Sequence, residues 1–125
     1  MRVSVSFGEA FDKWTILSIK MDKIEDPSKV ANVKKEHDSL LESLRESGSL
    51  SKVQNTVDEL REVNLLLWGI EDGIRLKEAK KEFDSEFIEL ARSVYRMNDL
   101  RFRLKSDINT ILGSELKEEK QHVAY

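Results

Sequence analysis

The stretch Asn64-Leu-Leu-Leu-Trp-Gly-Ile-Glu-Asp-Gly-Ile-Arg75 (NLLLWGIEDGIR) lies inside a long helical pattern and departs from it. Around it Val53, Val57, Leu60, Val63, Leu67, Ile70 and Ile74 recur in steps of three and four, the spacing of one helix face. On a wheel of about 100° per residue, Asn64, Glu71 and Arg75 fall on that same arc, with Trp68 beside them. Gly69 and Gly73 point the other way, near Leu65, Leu66 and Leu76. An interior glycine costs about 1 kcal/mol against alanine. The glycine pair and the three leucines are therefore read as a candidate interface for another helix, beside the plainer alternative of chance surface positions.

Working outward, the same period runs along the rest of the chain. Ser6-Phe7-Gly8-Glu9 has the form of a capping box, and Phe7, Ala10, Trp14, Leu17, Met21 and Ile24 follow as a stripe. Asp26-Pro27 ends that helix and opens the next, with Pro27 at the first helical position where its missing N–H does no harm. Val30, Val33, His37, Leu40 and Leu44 continue until Ser47-Gly48-Ser49. Asp84 caps a last helix, with Phe83 and Ile88 placed as a hydrophobic staple, and Gly113 closes it as a left-handed C-terminal glycine. The spacing predicts helices over 6–24, 27–46, 51–81 and 84–112, an extended arm over 2–5 and a charged tail over 113–125. Short turns make neighbours antiparallel. The expected fold is an all-α, up-and-down four-helix bundle in one domain, 1–125, with two shorter helices followed by two longer ones. The length mismatch leaves a hairpin overhang of about 15 Å at 1.5 Å per residue. Its apolar stripe needs cover, from the tail or from a second copy of the chain.

Composition narrows the classes. With 39% apolar and 36% charged residues, one proline and no cysteine, the 125-residue chain reads as a folded helical protein without disulfides or thiol chemistry, suited to a reducing cytoplasm. A net charge of -3 and the splitting of the basic segment 96–105 between two helix faces argue against a nucleic-acid surface. The start MRVSVSFGEAF lacks the form of a secretory signal, and no apolar run approaches the ~18 residues of a membrane span.

The distinctive feature is charge on inward arcs. On the last helix Asn98, Arg101, Lys105 and Asn109 lie among Phe87, Ala91, Val94, Met97, Leu104, Ile108 and Leu112; on the first, Glu9, Lys13 and Lys20 flank Ile16 and Leu17. Unpaired buried charge costs several kcal/mol, so such groups pair, reach water or meet a ligand. Long Lys and Arg stems that snorkel to water, and polar residues that fix bundle register, are the structural explanations. The functional one is a cationic pocket between helices, bordered by Trp68 and Tyr95. Its candidate ligand-binding residues are Lys13, Lys20, Trp68, Glu71, Arg75, Asn98, Arg101 and Lys105, suited to a phosphate, carboxylate or sugar nucleotide. His37 on an apolar stripe reads as a hydrogen-bonded core histidine. His122 is its only potential histidine partner for a metal, and no ligand spacing accompanies them, so neither metal nor cofactor is expected. Glu9 and Glu71 could act as acid and base if close, yet no complete catalytic constellation is legible. The leading expectation is a non-enzymatic interaction module, a homodimer or a binder of another protein; the alternative is a small-anion binding protein or enzyme.

The motifs GEAFDKWTILSIKMDKI (8–24), LWGIEDGIR (67–75) and YRMNDLRFRLKSDINTILGSELKEEK (95–120) resemble an uncharacterised family of small bacterial and phage proteins, a domain of unknown function often encoded near glycosyltransferases. The resemblance implies that the tail belongs to the domain and transfers no activity. Positions matching its pattern include Gly8, Glu9, Asp12, Lys13, Lys20, Trp68, Glu71, Asp72, Arg75, Asn98, Asp99, Arg101 and Lys105.

Overall fold

The computed structural model describes residues 3–114; the expected tail beyond Ser114 lies outside the described residues. The fold is an all-α four-helix bundle: α1 (Phe7–Lys23), α2 (Pro27–Glu46), α3 (Leu50–Lys80) and α4 (Ser85–Leu112). Two shorter helices precede two longer ones, as the sequence pattern predicts. Residues 3–5 are non-helical. The caps follow the sequence: Asp26 accepts from the Ser28 N–H, Asp84 accepts from the Phe87 N–H, and Gly113 closes α4 at φ 63°. The capping box of α1 is half formed. Ser6 Oγ accepts from the Glu9 N–H at 3.1 Å, but the Glu9 carboxylate turns to Lys105. The expected staple also differs: Phe83 and Ile88 are both more than half exposed, and Phe83 meets the Phe87 ring edge-on at 5.2 Å.

α1 is the organising element, packing against each of the other three helices, while α3 and α4 pair along their length. Gly8 lies against Lys105 and Asn109, Asp12 against Arg101 and Asn64, and Ser18 and Asp22 against Arg61. As α1 advances from Gly8 to Asp12, its partners on α4 recede from Asn109 and Lys105 to Arg101, so α1 runs antiparallel to α4. The crossing is close at Gly8, where a Cβ would sit 2.4 Å from the Lys105 carbonyl oxygen; only glycine lets the backbones approach so far.

α1 therefore buries two faces. The stripe read from its apolar residues supplies Phe7, Ala10 and Trp14. A second face, made of Gly8, Phe11, Asp12, Thr15 and Ile19, faces the hairpin. Phe11 joins Leu44, Val53, Val57, Leu60, Val63, Leu104 and Ile108 in one core. α2 contributes only Leu44 as a fully buried residue. His37 on α2 is half-buried, stacks on Trp14 at 5.7 Å and lies 3.0 Å from the Asp38 carboxylate through Nδ1.

The core occupies one end of the hairpin. From residue 65 to residue 103 no side chain is fully buried. The C-terminal half of α3 and the N-terminal half of α4 form a two-helix arm. At its tip Lys81 adopts the left-handed conformation at φ 57°, ending α3. Lys77 gathers the carboxylates of Asp84, Glu86 and Glu82, within 3.0–3.3 Å. Asp84, then Glu86, hold its ammonium above the ordinary lysine range.

Candidate functional site

Where α1 crosses the root of the arm, a buried polar cluster forms. Asp12, 1% exposed, accepts from Arg101 Nε at 2.9 Å and Nη2 at 2.5 Å, and from Asn64 Nδ2 at 2.9 Å. Asn64 Nδ2 also lies 2.9 Å from Thr15 Oγ1, whose hydroxyl donates to the Asp12 carbonyl at 2.7 Å. A bidentate guanidinium and an amide thus satisfy one carboxylate from two other helices, the condition under which a buried charge is tolerated. Asn64 and Arg101 are inward because Asp12 is.

Immediately above this cluster lies an open cleft of about 580 Å³. α1 contributes Ile16 and Ile19; α3 contributes Asn64, Leu67, Trp68, Glu71, Asp72 and Arg75; α4 contributes Asn98 and Arg101. Five of the eight residues expected at a ligand site therefore share this cleft: Trp68, Glu71, Arg75, Asn98 and Arg101. Three do not. Lys13 is exposed and pairs with Glu36 of α2 at 2.8 Å. Lys105, buried, pairs with Glu9 at 2.8 Å beside the α1 N-terminus. Lys20 is half-buried, outside the cleft lining, and makes no ion pair among the described residues. Both α1 lysines sit on the arc facing away from the hairpin, because its inner face is the one marked by Gly8, Asp12 and Thr15.

The expected charge balance changes accordingly. Arg101 is matched by Asp12, and Asp72 joins Glu71 on the cleft wall, so the lining carries two guanidiniums and two carboxylates rather than a cationic excess. Tyr95 does not line it. Tyr95 lies on α4 with Arg96 5.9 Å from its ring, and a hydrogen bond with Arg92 lowers its hydroxyl below the ordinary tyrosine range. Glu9 does not line the cleft that holds Glu71 and is instead paired with Lys105, so the acid–base pair considered from sequence does not meet there. Among the described residues, no cluster of His, Cys, Asp and Glu could hold a metal ion.

The proposed glycine interface divides as well. A Cβ on Gly69 would meet nothing within 4 Å, whereas one on Gly73 would lie 3.2 Å from the Leu90 side chain. Gly73 is thus packed within the chain and not open to another backbone. Leu66 and Leu76 are more than half exposed, and Leu65 is half-buried.

Sequence reasoning missed Asp12 as an inward group. Its available signal was the spacing of Gly8, Asp12 and Thr15, three small or polar residues on one helical face.

The sequence of the whole chain matches one family model, over residues 1–124. The chain belongs to the family of unknown function DUF6165. No curated protein and no solved structure matches it significantly. The family description assigns no chemistry to this DUF6165 chain. No helix among the described residues is long and apolar enough to cross a membrane.

Proposed function

We propose that the protein is a non-enzymatic helical interaction module, one domain over residues 1–125, that pairs with a second copy through the projecting arm of α3 and α4. One observation carries the reading: no residue from 65 to 103 is fully buried, while Leu66, Leu76, Phe83 and Ile88 on that arm are each more than half exposed. A two-helix hairpin has no enclosed core, and two of them packed about a two-fold axis make a complete four-helix bundle. Acidic and basic residues alternate along the arm outside the cleft (Glu78, Lys80, Glu89, Arg92), which lets an antiparallel copy meet opposite charges. The resemblance of the sequence motifs and the lack of cysteine favour a bacterial or phage-infected cytoplasm as its setting.

Light scattering at high micromolar concentration tests this. The expected result is twice the mass of 14.5 kDa, returning to the single-chain mass in Leu76→Glu with Ile88→Glu. A sharp monomer peak for the natural sequence defeats the reading.

The convergence of Trp68, Glu71, Arg75, Asn98 and Arg101 supports a second role, a small-ligand site. A phosphate, carboxylate or sugar nucleotide would engage Arg75, and a thermal-shift panel of these should then show stabilisation that Arg75→Ala removes. Arg101→Ala is a poorer test, because it also strands Asp12.

A further inference from the structure

The cleft at the root of the arm carries charges that the fold leaves unmatched. Glu71, Asp72 and Arg75 all line it, and none makes an ion pair or side-chain hydrogen bond among the described residues. Glu71 and Arg75 stand four apart on one helix, the spacing at which opposite charges ordinarily pair across about 5–6 Å between Cβ atoms. Here they do not meet. Elsewhere, Lys13, Arg61, Lys77, Arg96 and Lys105 each hold a carboxylate. Beside these charges the surface is apolar, with Ile16, Leu67 and the Trp68 ring, and Asn98 offers a donor and an acceptor.

We infer that this cleft binds a small zwitterion of dipeptide size, with its protonated amine at Glu71 and Asp72, its carboxylate at Arg75, and an apolar body against Trp68, Ile16 and Leu67. A simple anion fits less well. It would be drawn to Arg75 but repelled by the two neighbouring carboxylates, whereas a ligand with both signs satisfies all three α3 groups. The volume of about 580 Å³ lies within the range of small-molecule pockets and exceeds what a phosphate or acetate fills. The charge separation set by one helical turn matches the two ends of a dipeptide better than the adjacent groups of a single amino acid. This inference revises the anion reading and is independent of self-association.

The test is calorimetry and thermal shift on the full chain, with a library of dipeptides built from Leu, Val, Phe and Trp, each supplied free, N-acetylated and C-amidated. At least one free dipeptide should bind saturably, and capping either end should weaken it tenfold or more. Arg75→Gln should make the acid and its amide bind alike. Glu71→Gln with Asp72→Asn should make the free and acetylated forms bind alike. These three residues are solvent-exposed, so unliganded melting should be unchanged in the variants. Three results overturn the inference: no saturable binding by any free dipeptide; equal binding of free and capped forms to the natural protein; or binding of inorganic phosphate or succinate where dipeptides fail. A fourth is non-additive destabilisation by Glu71→Gln and Arg75→Gln without ligand, which would mean that the two side chains pair with each other in solution.

Discussion

The same two helices are built on different terms at their two ends. At the base, where α1 crosses, Val53, Val57, Leu60 and Val63 of α3 and Leu104 and Ile108 of α4 are almost completely buried, and the charged groups there are paired, Asp12 with Arg101 and Asn64, Lys105 with Glu9. Along the arm the same apolar period continues through Leu67, Ile70 and Ile74, but no residue is fully enclosed and the charges on the inner arc face an open cleft. Periodicity is a property of the helix alone; burial needs a third element. The base has α1, and among the described residues the arm has nothing equivalent. Charge at an inward position is therefore structural at the base and available for binding at the arm.

The contrast should break most severely at Gly8. Alanine there would set a Cβ 2.4 Å from the Lys105 carbonyl and 3.0 Å from Asn109 Oδ1, which accepts the Gly8 N–H at 2.7 Å. Both neighbours are held, so the crossing has to open. The expected cost in urea denaturation is about 4 kcal/mol, from overpacking plus the lost hydrogen bond. A cost under about 1 kcal/mol would mean that the crossing is looser than described. Asp12→Ala comes next. It strands Asn64 and Arg101; because the Arg101 side chain is 29% exposed and can reach water, about 3 kcal/mol is expected, toward the lower end for a broken buried pair. Asp12→Ala combined with Arg101→Met should recover part of that loss, since the orphaned charge is then gone.

Much of this architecture was legible in sequence, for identifiable reasons. Helix ends are set by local chemistry, so Asp26, Asp84 and Gly113 could be placed from single residues and their neighbours. The inward polar positions of α3 and α4 could be placed because each helix has one broad apolar arc to measure against, and Trp68, Glu71, Arg75, Asn98 and Arg101 then fall together. α1 defeated the same procedure. A helix enclosed on two faces has two inner arcs, and the one against the hairpin is made of Gly8, Asp12 and Thr15, which a search for apolar residues passes over. Assigning Lys13 and Lys20 inward followed from that single omission. The pairing of Lys105 with Glu9, and of Arg101 with Asp12, depends on how far apart two helices lie, and one-dimensional spacing carries no such distance.

Smaller substitutions on the arm sharpen the comparison in the opposite direction. Gly69 sits within α3 with nothing within 4 Å of where a Cβ would stand, so Gly69→Ala should raise the melting stability by about 1 kcal/mol. If the arm docks a second copy through this face, the same change should weaken dimerisation while stabilising the folded chain. Lys81→Gly should gain somewhat less, about 0.5–1 kcal/mol, by removing the Cβ strain of a left-handed residue at φ 57°. A loss on Lys81→Gly would show that its side chain holds the tip in a way the backbone does not reveal.

The smallest effect expected is electrostatic and confined to the tip. The Asp84 carboxylate accepts from the Phe87 N–H at 3.0 Å and from Lys77 at 3.0 Å, which together hold it below the ordinary aspartate range. A carboxyl group whose folded pKa is depressed stabilises the fold above its unfolded value, about 3.9, and loses that contribution as pH falls through the lower folded value. Protection of the Ser85–Phe87 amides from hydrogen exchange should therefore fade only as pH falls below about 4. Asp84→Asn supplies a comparable cap without the titration, so its protection at the same amides should be flat across that range. An identical acid response in the variant would leave the Asp84 cap without a measurable electrostatic share.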